Sequence, residues 1–242
     1  MITLIYRIYQ IVFAIPVFFL WTLFICAIII IGTLCGGGKF FGYYPGKCWG
    51  RFIIRMLFLP VKVEGKEKLK KGQSYVFLAN HQGVFDILLI YGFLGYDIRW
   101  MMKYQLGEIP VFGMACKKMR NIMVDNRSVA KVKKCYREAR EILKGGTSVV
   151  VFPEAARTWD GKMRPFKKGA FMLADELQLP VVPMTINGSF NVKPRSKDIY
   201  FCFWSPLKLT IHKPIEPMGL GSENIKQLMK LSYDEIEKDL VI

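Results

Sequence analysis

The chain has little of what most catalytic repertoires draw on. It holds 2 histidines in 242 residues, so any imidazole base must be His81 or His212. Its 6 cysteines (Cys26, Cys35, Cys48, Cys116, Cys135 and Cys202) form no Cys-x-x-Cys pair and no cluster with histidine. That excludes the sequence signatures of a structural zinc site or a redox dithiol, and the scatter fits a reducing compartment. Acids are scarce: 19 Asp+Glu stand against 35 Lys+Arg, a formal net charge of +16. Such a surface seeks phosphate, whether in nucleic acid, anionic lipid or an anionic substrate. No recognised nucleic-acid motif is present, and the aromatic residues concentrate beside the apolar N-terminus, so we expect a membrane surface or an anionic substrate and no nucleic acid. There is no internal repeat and no low-complexity tract, and Gly36-Gly37-Gly38 is the one candidate linker.

Charge of either sign is absent from Ile8 to Gly38, and Ile11 to Ile31 is almost wholly apolar. That run exceeds the roughly 20 residues needed to cross a hydrocarbon core. A cleaved signal peptide would have a shorter core and a small-x-small site after it. The segment from Lys39 to Pro60 mixes Phe40, Tyr44, Trp49 and Phe52 with Lys47, Arg51 and Arg55, a composition suited to headgroups. Phe52, Met56 and Leu59 fit a helix with one apolar side. We expect residues 1–60 to form a membrane-anchoring helical region and 61–242 a catalytic domain. Positive charge follows the apolar run, with only Arg7 before it, which places the catalytic part on the cytoplasmic face. Spanning, or entering and leaving one leaflet with a kink at Pro16, gives the same side.

From Val61 onward the periodicity alternates. Strands are expected at Tyr75–Ala79, Ile98–Met102, Asn121–Val124, Ser148–Phe152, Val181–Ile186, Ile199–Phe203 and Leu207–Ile211. Helices are expected at Val84–Leu94, Val129–Lys144, Lys168–Gln178 and Ser222–Leu240. Ser128 caps the second of these, and Gly145-Gly146 closes it. Such alternation implies an α/β fold.

Two segments carry chemistry. Asn80-His81-Gln82-Gly83-Val84-Phe85-Asp86 follows a strand, with Asp86 in the first turn of the next helix. A carboxylate on one ring nitrogen fixes the tautomer and leaves the other free to take a proton from an alcohol. No nucleophilic serine or cysteine is needed if the acyl group arrives activated, as in a thioester. Val151-Phe152-Pro153-Glu154-Ala155-Ala156-Arg157-Thr158 puts a carboxylate and a guanidinium at the end of another strand. His212, before Lys213-Pro214, is given no catalytic role.

These segments resemble the glycerolipid acyltransferase family, which includes the 1-acyl-sn-glycerol-3-phosphate acyltransferases. Asn80 to Asp86 resembles the family's His-x4-Asp motif, with Gly83 where serine is common. Ile122 to Arg127 resembles the second motif and Phe152 to Arg157 the third, usually Phe-Pro-Glu-Gly-Thr-Arg. Val181-Val182-Pro183-Met184 resembles the fourth. The linking segments Lys103-Tyr104-Gln105-Leu106, Ile109 to Gly113 and Phe166 to Phe171 are similar too. The likeness runs from about Val61 to Met184. It implies an α/β mixed sheet flanked by helices, with an N-terminal membrane-anchoring helical segment.

By that resemblance, His81 is the base and Asp86 its orienting partner. Lys103, Arg127 and Arg157 bind the acceptor's phosphate, and Glu154 orients an arginine or holds a glycerol hydroxyl. The reaction implied is transfer of a fatty acyl group from acyl-ACP or acyl-CoA to lysophosphatidic acid. No metal or bound cofactor is implied. The partners are a membrane lipid acceptor, acyl carrier protein or a coenzyme A thioester, and an anionic membrane surface. Another lyso-lipid acceptor, such as a lyso-ornithine or lyso-glycine lipid, stays open. So does a non-catalytic, basic, membrane-tethered binding protein. Ala155-Ala156 departs from Gly-Thr, and we expect the loop to adopt a backbone that alanine tolerates.

Overall fold

Among the described residues, seven strands form one mixed sheet in the order β1-β7-β6-β2-β5-β3-β4. They are β1 (Val61–Glu64), β2 (Val76–Ala79), β3 (Ile98–Lys103), β4 (Ile122–Val124), β5 (Ser148–Val151), β6 (Val181–Asn187) and β7 (Leu207–Ile211). The helices are α1 (Ile2–Tyr9), α2 (Ile15–Leu34), α3 (Gly38–Phe41), α4 (Tyr44–Met56), α5 (Phe85–Phe93) and α6 (Phe112–Lys118). They continue with α7 (Val129–Lys144), α8 (Gly169–Leu177), α9 (Ser189–Val192) and α10 (Ser222–Lys238). The computed structural model describes residues 2–125, 127–144, 146–195, 201–217, 219 and 221–241.

β6, β2, β5, β3 and β4 run parallel; β7 pairs antiparallel with β6, and β1 runs parallel to β7. β2 and β5 are buried at every residue, as their unbroken apolar runs require. Their side chains sort with period two. Phe77, Ala79 and Val150 face one core with Ile25, Ile54, Leu89 and Met119. Val76, Leu78, Val149 and Val151 face the other with Cys135, Phe171 and Leu228. The first layer is thus α2, α4, α5 and α6, and the second α7, α8 and α10.

Most expected elements are present within a residue or two at each end. Ser128 does cap α7: the Lys131 N–H donates to its Oγ at 3.3 Å. The expected strand over Ile199–Phe203 is a correction for its described part. Phe201, Cys202 and Phe203 are irregular, because their backbone is claimed elsewhere: Phe203 N–H donates to Val192 O at 2.8 Å and Cys202 N–H to Gln10 Oε1 at 2.8 Å. Ile199 and Tyr200 lie outside the described residues, as do Asn126 of the second motif and Gly145.

The apolar N-terminus is helical from Thr3 to Leu34, long and apolar enough to cross a membrane. Gln10–Ala14 is a π turn immediately before Pro16, and Ile15 N–H donates to Gln10 O. A proline lacks an N–H and crowds the preceding turn, so local widening there relieves the clash. One side of this helix is bare: Val12 is 71% exposed, Leu20 68% and Ile31 61%. The other side is tied to the rest of the chain along its length. Tyr6 Oη donates to Leu57 O at 2.9 Å and Tyr9 Oη to Met56 O at 2.8 Å. The buried Gln10 amide exchanges two hydrogen bonds with the Cys202 backbone, and Trp49 Nε1 donates to Thr22 Oγ1 at 3.0 Å. Ile25, Cys26 and Ile29 are buried.

Candidate active site

The C-terminal ends of β2, β5 and β3 deliver His81, Glu154 and Lys103 to one edge of the sheet, where ligands of open α/β sheets bind. His81 Nδ1 lies 2.7 Å from Asp86 Oδ2. Asp86 is fully buried in the first turn of α5, where the helix dipole favours a carboxylate. The same oxygen accepts the Gly83 N–H at 2.8 Å. Its other oxygen is buried with no partner among the described residues, so the carboxylate's strong contacts all fall on the His81 side. Bonded this way, His81 carries its proton on Nδ1 and presents a lone pair on Nε2.

The ring is braced as well as bonded. It stacks on Phe152, centroids 3.9 Å apart and planes 6° apart, and Phe152 in turn meets Trp100. The His81 backbone is clamped from β5: its N–H donates to Glu154 Oε1 at 2.7 Å, and its carbonyl accepts the Thr158 N–H at 2.9 Å. Glu154 Oε2 accepts the Arg164 N–H at 2.7 Å. Both Glu154 oxygens thus bind backbone and tie two loops together, which differs from the arginine or glycerol partner expected. Burial pushes its carboxyl up to about 7 against the pull of those two donors. Gly83 has no room for the serine common in the family. A Cβ there would stand 2.7 Å from Ser189 Oγ, so the α9 serine fills that space.

The loop Phe152–Thr158 corrects one expectation. Ala155 has φ +61°, the left-handed region in which glycine is at ease. Ala155 bears the strain of turning the chain between two fixed bonds, its own N–H to Phe152 O at 3.0 Å and the Thr158 N–H to His81 O at 2.9 Å. Ala155→Gly should therefore stabilise the fold by about 1 kcal/mol. A thermal melt of the purified chain should show Tm rising by roughly 2–4 °C. A lower Tm would mean that the loop relaxes to negative φ.

His81 opens onto a cavity of about 1010 Å³. Its apolar wall comes from Ile25, Ile29, Trp49, Ile87, Tyr91 and Met119, so α2 and α4 supply part of the site. Lys103, Arg157, Lys167 and Arg195 bring positive charge to the same lining. Arg195 is fixed in two ways: Nη1 donates to the Arg157 carbonyl at 2.8 Å, and its guanidinium lies 3.9 Å over the Trp159 ring. Sequence spacing gives no sign of Arg195, and Lys167 lies in the family-like segment Phe166 to Phe171 with no role read for it there; tertiary folding brings both to His81. Arg127 does not line the cavity. It is paired with Asp125 at 2.7 Å and lies 3.9 Å over Tyr104. His212 is buried away from the site, with Nε2 2.8 Å from Thr185 Oγ1. Among the described residues, no group of three or more His, Cys, Asp or Glu side chains is placed to hold a metal ion.

The geometry amounts to an imidazole held by a buried carboxylate on the lining of a largely apolar cavity that also carries several cationic side chains. A family model described as Acyltransferase matches residues 60–187. The chloroplastic 1-acyl-sn-glycerol-3-phosphate acyltransferase of Brassica napus is 31% identical over 176 residues, 72% of this chain and 50% of that protein. Its namesake in Arabidopsis thaliana is also 31% identical, over 72% of this chain and 49% of that protein. The chain thus spans about half the length of these two relatives. The crystal structure of the 1-acyl-sn-glycerophosphate (LPA) acyltransferase from Thermotoga maritima is 27% identical, with a TM-score of 0.80. It covers 97% of this chain and 96% of that one. The family match alone takes in more than half of the sequence, motifs and strand ends included, and the chain belongs to the acyltransferase family.

Proposed function

We propose that this chain transfers a fatty acyl group from a thioester to the free hydroxyl of lysophosphatidic acid, giving phosphatidic acid and a free thiol. The observation that carries this reading is the His81–Asp86 pair, Nδ1 to Oδ2 at 2.7 Å, at the mouth of a cavity apolar within and basic at its rim. Nε2 takes the acceptor's hydroxyl proton as the oxygen attacks the thioester carbonyl. Asp86 stabilises the imidazolium that forms. The tetrahedral adduct collapses with loss of the thiolate, which receives that proton. The apolar wall suits an acyl chain, and a cavity of this size lies at the upper end of small-molecule sites, about 300–1,000 Å³. The names of the plant and Thermotoga relatives support the acceptor.

Lys103, Arg157 and Arg195 are the cations we assign to the acceptor's phosphate, because they share the cavity lining with His81. A phosphomonoester favours several converging donors, guanidinium forks above all. Arg127 joins them only by exchanging Asp125 for the phosphate. The donor carrier is coenzyme A or acyl carrier protein, both anionic, as the basic surface asks; no metal or bound cofactor takes part in the scheme. The anchor is the apolar helix. A rod of 32 residues is roughly 48 Å long at 1.5 Å per residue. Held at Tyr6 and Thr22 to residues 49–57 and at Gln10 to Cys202 of the catalytic part, it lies with its bare side in one leaflet. The excess of positive charge puts that leaflet on the cytoplasmic face.

The Ala155-Ala156 pair, both lining the cavity, favours a second reading in which the acceptor is another lyso-lipid. One experiment separates the readings. The purified full chain in vesicles is given labelled acyl-CoA or acyl-ACP, with lysophosphatidate, monoacylglycerol or a lyso-ornithine lipid. Lysophosphatidate should be esterified fastest. Faster turnover of the lyso-ornithine lipid would transfer the assignment to it, and no ester with any acceptor would leave a binding protein.

A further inference from the structure

The segment between β3 and α6 has an unusual tip. Ile109 is 45% exposed, Val111 39% and Met114 47%, with Pro110 exposed between them. Val111 has φ +61° and ψ −59°, and Phe112 N–H donates to Pro110 O at 2.6 Å. That is a γ-turn of the strained kind, here centred on a β-branched residue. The surroundings hold it. Gly113 N–H donates to Ile109 O at 2.7 Å, and a Cβ on Gly113 would stand 2.4 Å from Gly107 O. The residues behind the tip point inward: Phe112 lines the cavity, and Gly113, Ala115 and Cys116 are buried. A strained, rigid backbone therefore holds apolar side chains out in water, where they gain nothing.

The neighbourhood says what covers them. α6 packs directly on α2, so the tip stands beside the N-terminal helix, whose other side is bare and apolar. From Ile109 to Val124 there is no acidic residue, while Lys117, Lys118 and Arg120 are exposed and Lys103 stands at the other end of the segment. Glu108 is the one acid beside the tip. Apolar points ringed by cations suit an anionic lipid surface. We propose that residues 109–114 form a second membrane-inserting element, seated in the same leaflet as α2. Its insertion would bring the part of the cavity lining that Leu106 and Phe112 supply down to the acyl chains, with the cations of the lining left nearer the headgroups. A lyso-lipid acceptor then slides in sideways without leaving the bilayer. This rests on the membrane reading above.

The test uses the full chain on phosphatidylcholine vesicles containing phosphatidylglycerol. Tryptophan is placed at the tip (Met114→Trp), on α2 (Phe24→Trp) and on α10 in the opposite layer (Leu231→Trp). Lipids brominated in the acyl chain should quench the added emission at 114 and 24, and not at 231. Quenching at 24 without quenching at 114 overturns the proposal alone. Quenching at neither overturns the membrane reading as well. Turnover supplies the second arm. Ile109→Asp and Val111→Asp should lower kcat/KM on vesicle-borne lysophosphatidate by about tenfold, the scale of losing one buried aliphatic side chain. Activity on a short-chain, monomeric lysophosphatidate should stay at the wild-type level. Equal loss on both acceptors would make the tip part of the site rather than a lipid contact. A change in oligomeric state in detergent, with no quenching at 114, would assign the tip to a second copy of the chain.

Discussion

Replacing His81 with alanine is expected to lower kcat by about 10²–10⁴-fold, the usual worth of a positioned general base. The substitution leaves the fold in place, because the bonds that hold this backbone do not use the ring. Glu154 still accepts the N–H of residue 81, and Thr158 still donates to its carbonyl. What is lost structurally is the stack on Phe152, worth about 0.5–1.5 kcal/mol, and the bond from Nδ1 to Asp86, whose carboxylate keeps the Gly83 N–H. Asp86→Asn should be damaged in the same direction: an amide cannot offset the charge of the imidazolium, and its NH₂ group can face Nδ1 and reverse the tautomer. Steady-state kinetics beside circular dichroism and vesicle flotation checks both. A folded, vesicle-bound His81→Ala chain that turns over near the wild-type rate would falsify the base assignment.

The second large effect is expected at Arg157. Its loss to alanine removes a charge-assisted contact worth about 1.5–3 kcal/mol. That is a roughly 10–100-fold fall in kcat/KM for lysophosphatidate. If the phosphate only tethers the acceptor, the change falls on KM; if it also aligns the hydroxyl, kcat falls too. Arg157→Lys should recover part of the loss, since charge returns without the fork. Arg195→Ala should act in the same direction, and more broadly, because Arg195 also holds the Arg157 carbonyl. Arg127→Ala should do less, since its charge is already spent on Asp125. Monoacylglycerol, which has no phosphate, is the control: all three variants should treat it as the wild type does. Unchanged lysophosphatidate kinetics in both Arg157→Ala and Arg195→Ala would remove the phosphate from this rim.

The parts of the fold legible in the sequence are those fixed by short-range pattern. β2, β5 and β6 are apolar runs between polar or Gly/Pro stops, and their buried, period-two sorting follows from that alone. His81 and Asp86 were legible for a related reason: five residues of separation, one strand end and one helix start leave them little room to part. The α6 helix was not, because its seven residues, Phe112–Lys118, are too few to show a helical period by themselves, although they pack on α2. Arg195 was not, since it lies far along the chain from His81 and is brought near by the β6–α9 return. Ala155 misled in the opposite direction. Its side chain argues for negative φ, and the reversal of the chain between the bonds to Phe152 O and His81 O overrides it. Glu154 shows the same limit: the residue was legible and its partners were not, because they are backbone groups of two other loops.

The pairing of Gln10 with Cys202 sets an order of events during synthesis. The two residues are 192 positions apart. A ribosome adding roughly 5–20 residues per second takes about 10–40 s to cover that distance. For all of that time the first helix exists without the backbone that satisfies its buried amide. It is too apolar to wait in water, so on the membrane reading it settles into lipid while the sheet is still being made. The catalytic part then matures against a helix already lying on the bilayer, and the loop around Cys202, made after β6, fastens the two together.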